Sequence, residues 1–288
     1  NAIGEDADGT PKKHTFIGNG FAIKGLTAPL FDILTADVKG LHLEDVNITS
    51  DAAYAGAFAN QLCGVISNCS ASGVINYNSD AAGAFVGGIA GIAMDGASFY
   101  NTVNHCVINA TKNHQLLYPG GICGCIGAAP ASVINNVVVF DNCHNKGNIN
   151  ILPGKGSTSR NTYGGGILGS YHKPLTMTNC SNSGNVEHQA VNTKNSNLGG
   201  LIGRTYTASK IIIKNCKNSG NITTNATCIE NGVIGGCFGL LNGLTDCEIE
   251  NISNSGTVTV SGTALEDGKS LYGGGVFGQI TVFPAGSK

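Results

Sequence analysis

The sequence predicts an all-β solenoid, a single domain in which short strands wind into about seven stacked coils. Three observations carry this prediction: a glycine-rich composition without helical periodicity, an Asn-Cys segment that recurs every 36 or 37 residues, and a Gly-Gly-apolar-x-Gly element that alternates with it. The 288 residues include 43 glycines, seven prolines and no tryptophan, and only 12% are charged. Helix formers never accumulate at the helical period over three turns, whereas Ile, Val and Thr recur in short runs beside Gly and Asn. This length suits one elongated domain or two compact ones, and the repeats favour one, with residues 1–40 as opening coil and cap and 41–288 as repeat coils.

The formal net charge of −2 leaves no Lys/Arg stripe to neutralise phosphates, so nucleic acid is not an expected partner. No apolar run is long enough to span a bilayer. The opening residues Asn1-Ala2-Ile3-Gly4 lack the basic and apolar regions of a signal peptide, so an extracellular or cell-surface protein would have had its targeting segment removed. Eleven cysteines would suggest a disulfide framework, but the count is odd and their positions follow the repeat, which argues for packing.

In chain order, Leu41 to Thr49 alternates apolar and polar residues as a strand does. The segment Asn-Cys-x-x-x-Gly then appears at Asn68-Cys69, Asn142-Cys143, Asn179-Cys180 and Asn215-Cys216. Two degenerate copies complete the series: His105-Cys106 replaces the Asn, and Asn251-Ile252 replaces the Cys. Steps between the Cys positions, from Cys69 to Ile252, are 37, 37, 37, 36 and 36. The glycine element begins at Gly87, Gly120, Gly165, Gly199, Gly235 and Gly274, with a blurred copy at Ala55 to Ala59. Its intervals vary more, so inserted residues belong in the connections.

One such coil cannot bury its apolar side alone, so coils stack about 4.8 Å apart and equivalent residues form ladders. Asn68, Asn142, Asn179, Asn215 and Asn251 are expected to pair their amides from coil to coil or with corner backbone groups. The Gly that follows each suits a corner with positive φ, and the paired glycines suit a sharp turn with close backbone approach.

Gly-Gly-Ile-x-Gly together with a following Asn-Cys-x-Asn-Ser-Gly-Asn-Ile resembles GLUG-type repeats, over roughly residues 40–280. Such repeats occur in surface proteins and adhesins of gut bacteria and beside the protease domain of some immunoglobulin-cleaving enzymes. The stretch from His14 to Leu26 resembles the first coil of pectin-lyase-like β-helices. The resemblance implies a right-handed parallel β-helix and a cell-surface setting.

Several constellations could carry chemistry. The ladder Cys69, Cys106, Cys143, Cys180 and Cys216 suggests disulfides or a metal string, but parallel Cβ vectors give poor disulfide torsions and Ile252 fills the same slot, so buried free thiols are expected. Cys123 and Cys125 could join Cys106 or Cys143 and His105 or His144 at zinc. Their spacing fits no known finger, and both thiols are expected to face one side as packing. β-Helix lyases and hydrolases gather carboxylates and bases on one face. Here Asp141 aligns with Thr178, Lys214 and Glu250, while Asp246, Glu248 and Glu250 read as a solvated strand face. No Ser/His/Asp order, phosphate loop or zincin helix is present. No metal or cofactor is expected.

Tyr118, Tyr163 and Tyr272, with Phe85, each sit two residues before a Gly-Gly pair, so their rings should align along one edge, either to stack sugar rings or to close each coil. Three long connections, 150–163 with Lys155 and Arg160, 187–197 with Glu187 and His188, and 261–271 with Glu266 and Lys269, should project in a row from one side. Of these, Tyr118, Tyr163, Tyr272, Lys155, Arg160 and His188 are the candidate binding positions. Threonines at 223–224 and 257–259 do not recur in every coil, which discounts an ice-binding array. Open ends would expose strand edges, so a cap or further chain is expected. The reading is a non-catalytic surface or secreted binding module contacting host or dietary glycan or protein, as part of a longer surface protein. A carbohydrate-active β-helix enzyme and a passive stalk are the alternatives.

Overall fold

The computed structural model describes residues 14–113, 116–127, 136–154, 161–189, 193–205, 210–244 and 246–281. Its strands pair in parallel, and each coil runs through four faces. One coil shows the plan: Leu175–Thr178 on the first face, Val186–His188 on the second, Ser196–Gly199 on the third and Ile202–Thr205 on the fourth. These stack on Lys210–Asn218, Ile222–Thr224, Gly232–Gly235 and Phe238–Leu241 of the next coil. The third face has seven strands, from Tyr54–Ala55 to Leu271–Gly274, and the fourth has eight, from Phe31–Leu34 to Phe277–Ile280. An opening coil without a third-face strand therefore carries seven complete coils, numbered one to seven below. The chain is an all-β parallel β-helix.

Alternation on each strand decides what faces inward. Leu175 and Met177 are buried while Thr176 and Thr178 are partly exposed, and Ile211 and Ile213 repeat the pattern one coil on. Ladders of like residues result, such as Phe99 on Phe140, with ring centroids 4.6 Å apart. A smaller apolar cluster of Phe85, Ile92, Tyr118, Cys125 and Tyr163 lies where the third and fourth faces meet.

Each glycine of the Gly-Gly element answers a separate steric demand. A Cβ on Gly165 would lie 2.0 Å from the Leu168 carbonyl oxygen, and one on Gly169 would lie 2.6 Å from the Gly124 oxygen. A Cβ on Gly166 would lie 2.3 Å from Cγ of Asn182. Asn182 belongs to a buried amide ladder: Asn104 Nδ2 donates to Asn145 at 2.8 Å, Asn145 to Asn182 at 2.7 Å, Asn182 to Asn218 at 2.7 Å and Asn218 to Asn254 at 2.8 Å. The second glycine thus makes room for the ladder. Sequence reasoning passed over it, although Asn-x-Gly recurs at four of its five members, Asn145, Asn182, Asn218 and Asn254.

The exposed ladder is also present. Asn101 donates to Asn68 at 3.0 Å, Asn142 to Asn101 at 2.8 Å, Asn215 to Asn179 at 3.5 Å and Asn251 to Asn215 at 2.8 Å; Asn179 bonds Asp141 instead, at 2.9 Å. Three expectations need correction. The left-handed corner belongs to Asn, with φ between 52° and 57° at Asn142, Asn179, Asn215 and Asn251, because a short polar side chain tolerates this region. The later Gly184 is needed for close approach, since its Cβ would meet the Gly147 oxygen at 2.0 Å.

Secondly, Cys106 lies outside the Cys ladder. Asn101 takes the corner and Thr102 the thiol slot, while Cys106 stacks on Gly73. Thr102 Oγ1 donates to the Tyr100 carbonyl at 3.0 Å, as Cys180 Sγ does to Thr178 at 3.2 Å and Cys216 Sγ to Lys214 at 3.2 Å. Corner spacings of 33 and then 41 residues average to the 37 seen elsewhere, so even steps concealed the shift. Thirdly, Cys123 and Cys125 do not share a face: Cys123 joins the main core and Cys125 the smaller cluster, on either side of the tightly packed Gly124. The cysteines described are unbridged and, apart from the half-buried Cys63, enclosed.

Candidate functional site

The aromatic residues align as their spacing predicts, but they are largely enclosed. Tyr54 stacks on Phe85 at 5.4 Å, Phe85 on Tyr118 at 4.6 Å, and Tyr118 meets Tyr163 edge-on at 5.3 Å. Tyr118 is 5% exposed and Tyr163 0%, so neither offers a ring face to a sugar; only Tyr272, at 40%, does. The reason is local geometry: the third and fourth faces meet closely enough to cover the column, and Arg204 caps Tyr163, its guanidinium 4.8 Å from the ring centroid. A groove of about 470 Å³ lined by Tyr54, Phe85, Leu116 and Tyr118 runs along the exposed margin.

His188 is likewise buried, its Nδ1 paired with Ser196 Oγ at 2.7 Å, which makes it a structural tie between the second and third faces. Lys155 and Arg160 lie outside the described residues. The three long connections all lead from the second face to the third, as their common position in the repeat requires.

The structure gathers a polar site that sequence reasoning missed. In coil one, His42–Ser50 carries a β-bulge: Leu43 pairs with Ala71 and Val46 with Gly73, so Glu44 and Asp45 together oppose Ser72. Asp45 adopts φ 55° to accommodate the extra residue. Gly73, at φ 130°, admits the bulge, since a Cβ there would meet the Val46 oxygen at 2.1 Å. The bulge turns Glu44 and Asp45 toward an open hollow of about 360 Å³, lined also by Ser70, Ser72 and His105. Lys24 bonds Glu44 at 2.7 Å and holds its carboxyl below the usual range. Desolvation by packing, then the charge of Lys146, lowers the pKa of His105. Spacing concealed this set because Glu44 and His105 stand two coils apart. Among the described residues no group of three or more His, Cys, Asp or Glu has the geometry to hold a metal ion.

Three first-face carboxylates of coil seven form surface ion pairs with coil six: Lys210 with Asp246 at 3.3 Å, and Lys214 with Glu248 at 2.7 Å and Glu250 at 3.5 Å. Such exposed pairs are screened by water and add little to stability.

Comparison with known proteins agrees with this architecture. The GLUG motif is matched over residues 194–223, which span the third and fourth faces of coil five and the first-face corner of coil six. The crystal structure of a protein from Bacteroides ovatus, provisionally assigned as an immunoglobulin A1 protease, superposes with a TM-score of 0.50 at 17% identity, covering 90% of this chain and 68% of that one. At that identity the likeness establishes the fold alone. No curated protein matches the chain. Its repeat geometry and the matched segment together make the chain a parallel β-helix that carries the GLUG motif.

Proposed function

We propose that this chain is a non-catalytic binding or adhesion module of a secreted or surface-displayed bacterial protein, contacting host or dietary glycan or protein. One observation carries the reading: the stack holds equivalent outward side chains in straight columns, one per coil, so the molecule offers long rigid faces. The hollows on the described surface are open and shallow, which suits an extended ligand better than a small enclosed one. A glycan array probed with the intact chain, scored for both binding and product release, tests it. Binding without cleavage is the expected result; release of shortened product would overturn it.

A second reading, a carbohydrate-active enzyme, is favoured by the meeting of Glu44, Asp45 and His105 at one hollow. Under that reading Glu44→Gln and His105→Ala would each abolish product release while leaving binding intact. Absence of release from the unaltered chain across plant, mucin and glycosaminoglycan polymers would remove it.

A further inference from the structure

The Asn corner carries a strip whose chemistry neither the fold nor the GLUG motif assigns. Three columns run along it. The corner column comprises Asn101, Asn142, Asn179, Asn215 and Asn251 in coils three to seven. Beside it, His144 stacks on Ser181 and Ser181 on Lys217. A third column runs from Lys146 through Ser183 to Ser219, because the backbone N–H of Lys146, Ser183 and Ser219 bonds the carbonyls of Asn104, Asn145 and Asn182 in turn.

The hydrogen-bonding capacity of this strip is only partly used. An amide has two N–H groups and two carbonyl lone pairs, and pairing along a ladder engages one of each. Asn142, Asn215 and Asn251 are exposed; Asn142 Oδ1 is bonded by His144 Nε2 at 2.9 Å, while the second amide N–H of each and the remaining carbonyl lone pairs face water. Rows of paired donors and acceptors suit the vicinal hydroxyls of sugars.

Charge adds a second condition. Lys24, Lys194, Lys210 and Lys214 each pair with a carboxylate, whereas Lys146 and Lys217 are exposed and have no carboxylate partner among the described residues. Both charges reach one side chain: after burial, Lys146 and Lys217 hold His144 below its ordinary value. The carboxylate at the corner, Asp141, is engaged by Thr178 Oγ1 at 2.7 Å and Asn179 Nδ2 at 2.9 Å. Lys146 and Lys217 stand two coils apart, roughly 10 Å along the axis. A small anion cannot bridge them, whereas a linear polymer with recurring anionic groups can. No Phe, Tyr or Trp lies in the two columns beside the Asn corner to stack a base, which favours a sugar polymer over a nucleic acid.

We infer that the Asn corner from coil four to coil six binds a linear acidic polysaccharide, with Lys146 and Lys217 meeting its anionic groups and the exposed Asn amides meeting its hydroxyls. This rests on the proposed binding role. The test is biolayer interferometry of the intact chain at low salt against chondroitin sulfate, polygalacturonate, neutral dextran and single-stranded DNA. Binding of at least one acidic polysaccharide is expected, weakened tenfold or more by the double variant Lys146→Gln/Lys217→Gln. The charge-matched control Lys39→Gln/Lys173→Gln, outside the Asn corner of coils four to six, should bind as the unaltered chain does, and all three proteins should share one thermal midpoint. Binding that survives the corner variant would overturn the assignment to this strip while leaving the binding role standing. Equal binding of dextran or DNA would overturn the acidic-glycan class, and no binding to any probe, here or on the array, would overturn both.

Discussion

At the scale of single residues, buried and exposed asparagines do different work. Asn182 Nδ2 donates to Asn218 and to the Gly184 carbonyl at 2.8 Å, while its Oδ1 accepts from Asn145. Removing it strands buried groups on both neighbouring coils, each costing about 1–3 kcal/mol. Asn182→Ala should therefore destabilise the chain by about 3 kcal/mol in urea unfolding. Cys143→Thr should cost about 1 kcal/mol or less, since Thr102 already fills that slot and makes the same bond to the carbonyl two residues back. An equal loss from both would contradict the roles given to them. His172 supplies a pH-dependent term. Burial, then the charges of Arg204 and Lys173, lowers its pKa from 6.5 to about 4, so the unfolded chain takes up a proton that the folded one refuses. This contribution is complete above pH 6.5 and is lost as pH falls toward 4. His172→Gln should flatten the stability profile in that window, measured by thermal melts at stepped pH.

At the scale of the element, the same motif position can be indispensable in one coil and free in another. Gly166 and Gly275 are both second glycines of the Gly-Gly pair. A Cβ at Gly166 would lie 2.1 Å from the Gly200 oxygen, whereas one at Gly275 meets nothing within 4 Å because no described coil lies above it. Gly166→Ala should prevent native folding or lower the melting midpoint severely, and Gly275→Ala should melt within about 0.5 kcal/mol of the parent. If both behave alike, stacking is not what selects glycine here. The bulge at Glu44–Asp45 shows the converse, one coil departing from the repeat to turn two carboxylates toward His105.

At the scale of the whole molecule, stability should follow position along the stack. Phe16, Ile17, Phe21 and Ile33 of the opening coil are between 46% and 74% exposed, and Leu265, Tyr272 and Ile280 of coil seven between 40% and 59%. Central strands such as Leu168–Tyr171 and Leu198 lie fully buried. Solenoid stability is a sum over neighbouring coils, and a terminal coil has one neighbour where an inner coil has two. Amide hydrogen exchange should accordingly be slowest in coils three to five and fastest in the opening coil and coil seven. Uniform protection along the axis would mean that the stack opens as a single unit.

The architecture was legible because every coil places equivalent residues in equivalent surroundings, and a 36–37-residue period records that directly. The exposed Asn column, the stacking of four of the five ladder cysteines and the alignment of Tyr118 with Phe85 were all readable from this period. Lateral register within an uneven coil was not. Whether Cys106 or Thr102 fills the thiol slot depends on which backbone groups pair across coils of 33 and 41 residues, and spacing averages over that difference. Exposure was likewise decided in three dimensions: the close meeting of the third and fourth faces encloses Tyr163, and the tie to Ser196 encloses His188. Periodicity in the chain determined the solenoid, since stacking like on like needs only a repeat. The tertiary structure alone decided which side chains reach solvent together, because Glu44 meets His105, and Lys146 shares a strip with Lys217, only once the coils are wound and their hydrogen bonds set the register.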